Sequence, residues 1–312
     1  MDDKTTDRPP MGYDEFGLLH ENAEEADLPF DPANPPVVER AWIADTPSGN
    51  ELSALVWGRG DPELVLLHGG AQNAHTWDTV ALALARPLVA IDLPGHGHSD
   101  WRDDHDYRPQ QNAEAVAIAI GELAPRALAV IGMSLGGLTS LALAAQRPDL
   151  VRRLLLVDVT PGVNAVKAEP IVAFVSGPES FASFDEILAR TVAHNPMRSQ
   201  SSLRRGVLHN ARPREDGRWV WRYDRQNALR NAAAERSDFD IGVHWDDVAQ
   251  LRIPLLLVRG ALSAVVDDAD VAELRRRKPD AEVVVVPGAG HSVQLRADVE
   301  GGRTAVTSFL QR

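Results

Sequence analysis

Six short, uninterrupted apolar runs constrain this chain more than any other feature: LVLLHGG (64–70), PLVAIDLPG (87–95), ALAVIGMS (127–134), LLLVDVTP (154–161), PLLLVRG (254–260) and EVVVVPG (282–288). A strand with one wet face alternates apolar and polar residues. A strand without alternation must be covered on both faces, as in a parallel sheet between two helical layers. Helical patterns fill the intervals at 110–123, 135–146, 267–277 and 297–310. This strand–helix alternation places the chain in the α/β class. Upstream, VERAWIAD (38–45) and ELSALVWG (51–58), separated by the turn-rich TPSGN, predict an antiparallel hairpin.

One interval breaks the rhythm. Roughly ninety residues separate Pro161 from Ile253, whereas ordinary connections run to about 4 to 6 residues. The patterns here are helical and amphipathic in FDEILARTVAHN (184–195), SSLRRGVLHN (201–210) and QNALRNAAAE (226–235), with one turn-then-strand piece, DGRWVWRYD (216–224). We read residues 161–247 as a helical cap inserted into a core made of 37–160 and 248–312. Trp219, Trp221 and Tyr223 alternate, so in a strand they share one face. There they either contact substrate or anchor the cap.

Residues 1–36 are different in kind. Ten acidic residues stand against only Lys4 and Arg8, so most of the net charge of −13 lies here, interleaved with Pro9, Pro10, Pro29, Pro32, Pro35 and Pro36. Such a composition predicts a disordered or surface-draped arm, or one that docks on a second copy of the chain to make a homo-oligomer. The remaining body is only mildly acidic and lacks a basic patch, which argues against nucleic acid and anionic membranes as partners. The start, MDDKTTDRPP, has no basic n-region followed by an apolar stretch, and no apolar run reaches membrane-spanning length. A cytoplasmic protein is expected. Zero cysteines exclude disulfides, thiolate metal sites and a cysteine nucleophile.

Chemistry concentrates in GMSLGG (132–137), which ends an apolar strand and opens a helix. In that context the glycines permit a sharp turn that leaves Ser134 strained and exposed, while the Leu135 amide and the helix N-terminus face any oxyanion that forms there. With HGGAQNAHTW (68–77), DLPGHGHSD (92–100) and GAGHSV (288–293) in this order, the chain resembles α/β-hydrolase-fold proteins over about residues 37–312. The resemblance implies a mostly parallel eight-stranded sheet with helices on both faces and an inserted helical cap. It also implies Ser134 as nucleophile, His291 as general base, and the backbone amides of Gly70 and Leu135 as the oxyanion hole. Asp92, His96 and His98 would be structural, and no metal or organic cofactor is implied.

Most such proteins carry the catalytic acid in the loop after the strand corresponding to PLLLVRG, near Ala264, which has only a methyl group. Asp267 and Asp268 come a few residues later, but DDADVAELRRRKP is sufficiently explained as a helix with acids at its start and bases at its end. Asp158 has no such local explanation. It ends a buried strand at the sheet edge where open α/β sheets bind ligands, and a carboxylate there is costly without a partner. A subset of small esterases and thioesterases of the fold places the acid here, and this chain resembles that subset. Asp158 is therefore favoured over Asp267 or Asp268, although it could instead cap the turn at Thr160 and Pro161.

The expected function is a serine hydrolase cleaving a small, uncharged, largely apolar ester, thioester or lactone through an acyl-enzyme. The alternatives are a carbon–carbon bond hydrolase or perhydrolase with the same residues, and a non-catalytic binder of a small ligand, which the bare Ala264 position would favour.

Overall fold

The computed structural model describes residues 13–45, 49–226, 242–293 and 300–311. The first twelve residues of the arm, the turn at 46–48, the helical pattern expected over 227–235 and the start of the last expected helix at 297–299 lie outside the described residues.

Eight strands form one sheet: β1 (Val38–Asp45), β2 (Asn50–Trp57), β3 (Leu64–Leu67), β4 (Leu88–Ile91), β5 (Ala129–Met133), β6 (Leu154–Val157), β10 (Leu255–Gly260) and β11 (Glu282–Val286), in the spatial order β1-β2-β4-β3-β5-β6-β10-β11. Only β2 runs against its neighbours. All other adjacent pairs are parallel. β3, β4 and β6 are buried at every position, which is why they read as unbroken apolar runs.

Successive residues of each strand serve opposite faces. Val65, Leu67, Val130, Leu154 and Leu156 pack beneath α3 (Pro109–Leu123) and α4 (Leu135–Gln146). Leu64, Leu66, Ile131, Leu155 and Val157 pack on the other side, with α2 (Asp78–Leu84) and α10 (Glu300–Gln311). This is the two-faced burial that the sequence demanded, resolved by the two-residue period of a strand.

The chain between β6 and β10 builds a unit with its own small core. It contains α5 (Ala165–Val175), α6 (Phe184–His194) and α7 (Gln200–Asn210), followed by α8 (Trp245–Gln250) against the main body, and a three-stranded sheet of β7 (Ser180–Phe181), β8 (Ala211–Pro213) and β9 (Trp219–Trp221). Val175, Phe181, Ile187, Val207, Trp221 and Tyr223 form that core. α5 escaped the periodicity analysis because Pro170 lies inside it, where it removes a helical hydrogen bond.

The described part of the arm lies on the body, the surface-draped alternative among those expected, and is partly helical. Residues Leu19–Glu25 form a helix, α1, with Leu19 and Ala23 buried and Leu19 in the same cluster as α2 and α10. Its acidic face is bound to α7, where Arg205 pairs with Glu25 and Glu21. Acidity that looked like a solvated tail is thus complemented by arginines from distant sequence.

Candidate active site

The register of the parallel strands sets two of the sequence-predicted side chains, Ser134 and Asp158, next to each other, and the loop after β11 brings His291 to Asp158. Met133 is opposite Val157, and Val157 is opposite Val258. The next residues, Ser134 and Asp158, therefore leave the sheet side by side, their amides donating to Val157 O at 3.3 Å and Val258 O at 2.8 Å. Both adopt positive φ, 48° and 51° respectively. That conformation is costly for a residue with a side chain and tends to persist where surrounding structure enforces it. For Ser134 the enforcement comes from α4, which is pressed against the end of β3: a Cβ on Gly136 would lie 2.2 Å from the Leu67 carbonyl oxygen.

Asp158 is fully buried, and its carboxylate is fully employed. Oδ1 accepts from Gly260 N at 3.0 Å, while Oδ2 accepts from Ser263 Oγ at 2.5 Å and His291 Nδ1 at 2.7 Å. An ionised carboxylate only accepts, so Nδ1 carries the proton and Nε2 is the basic nitrogen of His291. Thr160 and Pro161 take no part in holding this carboxylate.

The loop after β10 contributes without supplying an acid. Ser263 Oγ, besides donating to Asp158, accepts from Val265 N and Val266 N. A Cβ on Gly260 would fall 2.3 Å from Gly290 O, so this glycine lets the β10 loop and the His291 loop touch. Sequence reasoning missed both residues. The available signal was a serine immediately before Ala264, the position where an acid was sought.

Asp267 and Asp268 are occupied elsewhere. Asp267 caps α9 (Asp268–Arg277) by accepting from Asp270 N, and pairs with Lys167 at 3.0 Å. Asp268 has its side chain 94% exposed and pairs with Arg259 at 2.5 Å.

Ser134 and His291 line one cavity of about 190 Å³ together with Gly70. A second cavity, of about 170 Å³, shares Ser134 and Gly70 and continues past Leu135, Leu138, Val159 and Val172. An ideal Cβ on Gly70 would sit 4.0 Å from the Leu135 Cβ, so the two candidate oxyanion donors come from backbones facing each other beside Ser134. The Gly69–Gly70 turn is fixed by His68, which accepts from Leu93 N at 2.9 Å and whose Nδ1 donates to Gly69 O at 2.7 Å. Burial, with His96 nearby, pushes the His68 pKa down to about 3, so the ring is neutral and this tautomer persists.

The aromatic residues of the inserted unit divide. Trp221 lines the first cavity and Tyr223 the second, with their rings stacked at 5.4 Å. Trp219 packs edge-on to Phe184 at 5.2 Å, away from both cavities.

A polar cluster that joins the arm to the body lines part of the first cavity through His75, Asp78 and His209. His75 Nδ1 is 2.9 Å from Asp78 and Nε2 is 3.0 Å from Glu15. Burial opposes its charge, but Asp78 and Glu15 prevail and raise its pKa to about 9. Glu15 also pairs with Arg40, which reaches the buried Asp92 at 2.9 Å. Asp92 additionally accepts from Ala74 N and His98 N, the structural role expected of that motif. Among the described residues, His75, Asp78 and His209 are the only group whose candidate ligand atoms lie within 4.8 Å of one another. The two imidazoles stack at 3.8 Å with 12° between their planes. In-plane lone pairs of parallel rings point side by side rather than at one ion, and both His75 nitrogens are already bonded.

The profile of the Alpha/beta hydrolase family matches residues 64–300. The chain belongs to this family. It is 48% identical over 290 residues to Esterase Rv0045c of Mycobacterium tuberculosis, covering 91% of each chain. The crystal structure of that esterase superposes with a TM-score of 0.79 at 47% identity, covering 95% of this chain and 99% of the other. A pimeloyl-[acyl-carrier protein] methyl ester esterase of Aeromonas salmonicida is 32% identical over 249 residues, 77% of this chain and 92% of its own. The α/β-hydrolase fold expected from the sequence is the fold observed. No helix among the described residues is long and apolar enough to cross a membrane.

Proposed function

We propose that the protein is a serine esterase whose triad is Ser134, His291 and Asp158. The observation that carries this reading is the 2.7 Å contact between His291 Nδ1 and a fully buried Asp158, with a strained Ser134 on the same cavity wall as His291. In the reaction, Ser134 Oγ attacks the ester carbonyl carbon as its proton passes to His291 Nε2. The amides of Gly70 and Leu135 hold the tetrahedral oxyanion, a contribution of about 10²–10³ in rate per donor. The carbon–alkoxide bond then breaks as His291 protonates the leaving alcohol. A water molecule activated by His291 repeats the cycle on the acyl-enzyme, releasing the acid and free Ser134. Asp158 keeps the imidazole in the reactive tautomer and stabilises its charged form. The inserted unit acts as a cap, with Trp221 and Tyr223 as substrate-contact candidates and Trp219 as an anchor.

The feature that favoured a non-catalytic binder was the lack of an acid at Ala264. Asp158, paired with His291, is a candidate for that group on another strand, which supports the catalytic reading over the binder. The decisive experiment is covalent labelling by a fluorophosphonate together with hydrolysis of short-acyl p-nitrophenyl esters. Both activities should be present in the wild type and absent from Ser134→Ala. A wild-type protein that neither labels nor cleaves any ester would overturn the reading. Thioesters and lactones in the same panel decide which acyl derivative is preferred.

A further inference from the structure

The wall of the Ser134 cavity made by the inserted unit mixes apolar and polar residues and carries a cation with unused hydrogen-bonding capacity. Arg198, just before α7, lines the cavity. Its Nη2 donates to Ser202 Oγ at 2.7 Å, but its Nε is buried without a hydrogen-bond partner. Arg40 pairs with Glu15 and Asp92, Arg205 with Glu21 and Glu25, and Lys167 with Asp267 and Asp270, whereas Arg190, whose Nε is likewise buried without a partner, donates to Phe174 O. No described carboxylate makes an ion pair with Arg198. Glu25 attracts it through space, yet that carboxylate is already bonded to Arg205 and Ser199.

Burial lowers the Arg198 pKa to about 10, so the group remains a cation at neutral pH. The acid lining the same cavity, Asp78, is held by His75. The other neighbours of Arg198 in the cavity include Thr191, Asn195 and His194. Burial and Arg190 lower the His194 pKa, which disfavours a second positive charge there. A guanidinium that lines the cavity without a described carboxylate partner is suited to a planar, two-oxygen anion, which its N–H groups can hold as a pair.

We propose that Arg198 binds a free carboxylate on the substrate, so that the ester cleaved at Ser134 carries one anionic group on the half lying in the polar cavity. This inference rests on the serine-esterase reading above. It replaces the expectation of an uncharged, largely apolar ester with a split one, in which an apolar half faces Leu135, Leu138 and Val172 and a carboxylate-bearing half faces Arg198.

The test compares esters matched in length. Monoethyl glutarate and monoethyl adipate are measured against ethyl valerate and ethyl hexanoate, and the butyryl ester of 3-hydroxypropanoate against propyl butyrate, by pH-stat titration. At least one anionic ester should exceed its neutral partner in kcat/KM by about tenfold or more, mainly through a lower KM, as expected of a charge-assisted contact made in ground and transition states alike. Arg198→Gln should abolish that ratio by raising KM on the anionic ester. If Arg198→Gln does not fold, Arg198→Lys, which keeps the charge but loses the fork, should reduce the ratio at least threefold. Equal rates for all matched pairs in the wild type, or a ratio that survives the substitution, would overturn the proposal. A wild type that labels with fluorophosphonate and cleaves neutral esters without any anionic preference refutes the role of Arg198 alone. One that neither labels nor cleaves refutes the esterase reading itself.

Discussion

The two walls of the Ser134 cavity are built on opposite terms. On the sheet side the polar groups that hold the candidate acid are satisfied: Asp158 accepts from Gly260, Ser263 and His291, and the strained backbones of Ser134 and Asp158 are tied to adjacent strands. On the side made by the inserted unit, buried polar atoms are left over, including Arg198 Nε, His209 Nε2 and Tyr223 Oη. Unmet buried donors and acceptors are costly, and in a cavity a ligand can meet them. The hold on Asp158 is therefore complete before substrate arrives, as preorganised chemistry requires, although Asp78 Oδ1, on the same cavity, is left without a partner. The opposite side is where selectivity can be written.

The contrast can be broken from its strongest point downward. Ser134→Ala should reduce kcat by about 10⁶-fold, the scale on which loss of a serine nucleophile is felt, measured with a short-acyl p-nitrophenyl ester. Asp158→Ala should cost about 10⁴-fold, whereas Asp267→Ala and Asp268→Ala should stay within about threefold in the same assay. The reverse pattern would return the acid to the β10 loop. Ser263→Ala should lower kcat/KM by about tenfold, corresponding to about 1.4 kcal/mol at the barrier, because the Gly260 amide still holds the carboxylate. A drop as deep as that of Asp158→Ala would mean the serine is needed for the fold of the loop, which circular dichroism and melting would report.

Substitutions in the cluster that joins the arm to the body should act on stability, with His75, which lines the cavity, acting on KM as well. Glu15→Gln and His75→Asn loosen the arm from the body, and each kcal/mol lost corresponds to about 2–4 °C in Tm at this chain size. Their pH dependence has opposite signs. Against the cost of burial, hydrogen bonds from His75 and Arg40 lower the Glu15 pKa to about 2. Its stabilisation is therefore complete above the ordinary glutamate range and fades as pH falls towards 2. His75 is raised to about 9, so its stabilisation is complete below the ordinary histidine range and fades as pH rises through 9. Melting curves should show the wild-type advantage over Glu15→Gln shrinking in acid and that over His75→Asn shrinking in alkali. The smallest expected effect separates the aromatic residues: Trp221→Ala should change KM several-fold, while Trp219→Ala should lower Tm with little change in KM.

Local pattern made most of the frame legible. Continuous apolar runs named the sheet strands, and α4 lies at 135–146 as its pattern indicates. Asp267 caps α9 because a short acid before an amphipathic run is a helix start wherever it occurs. Other elements were hidden for local reasons: α5 by its internal proline, and α1 by an acidic composition that resembles a tail.

What the sequence determined by itself was what depends on neighbours in the chain: strand, turn and helix order, the strained serine, and a carboxylate stranded at the end of β6. Tertiary structure alone decided which groups meet. The pairing of Asp158 with His291, the support from Gly260 and Ser263, and the binding of the arm to α7 all join residues far apart in sequence. They follow from sheet register and close approach of loops, and no local periodicity encodes a distance between segments more than a hundred residues apart.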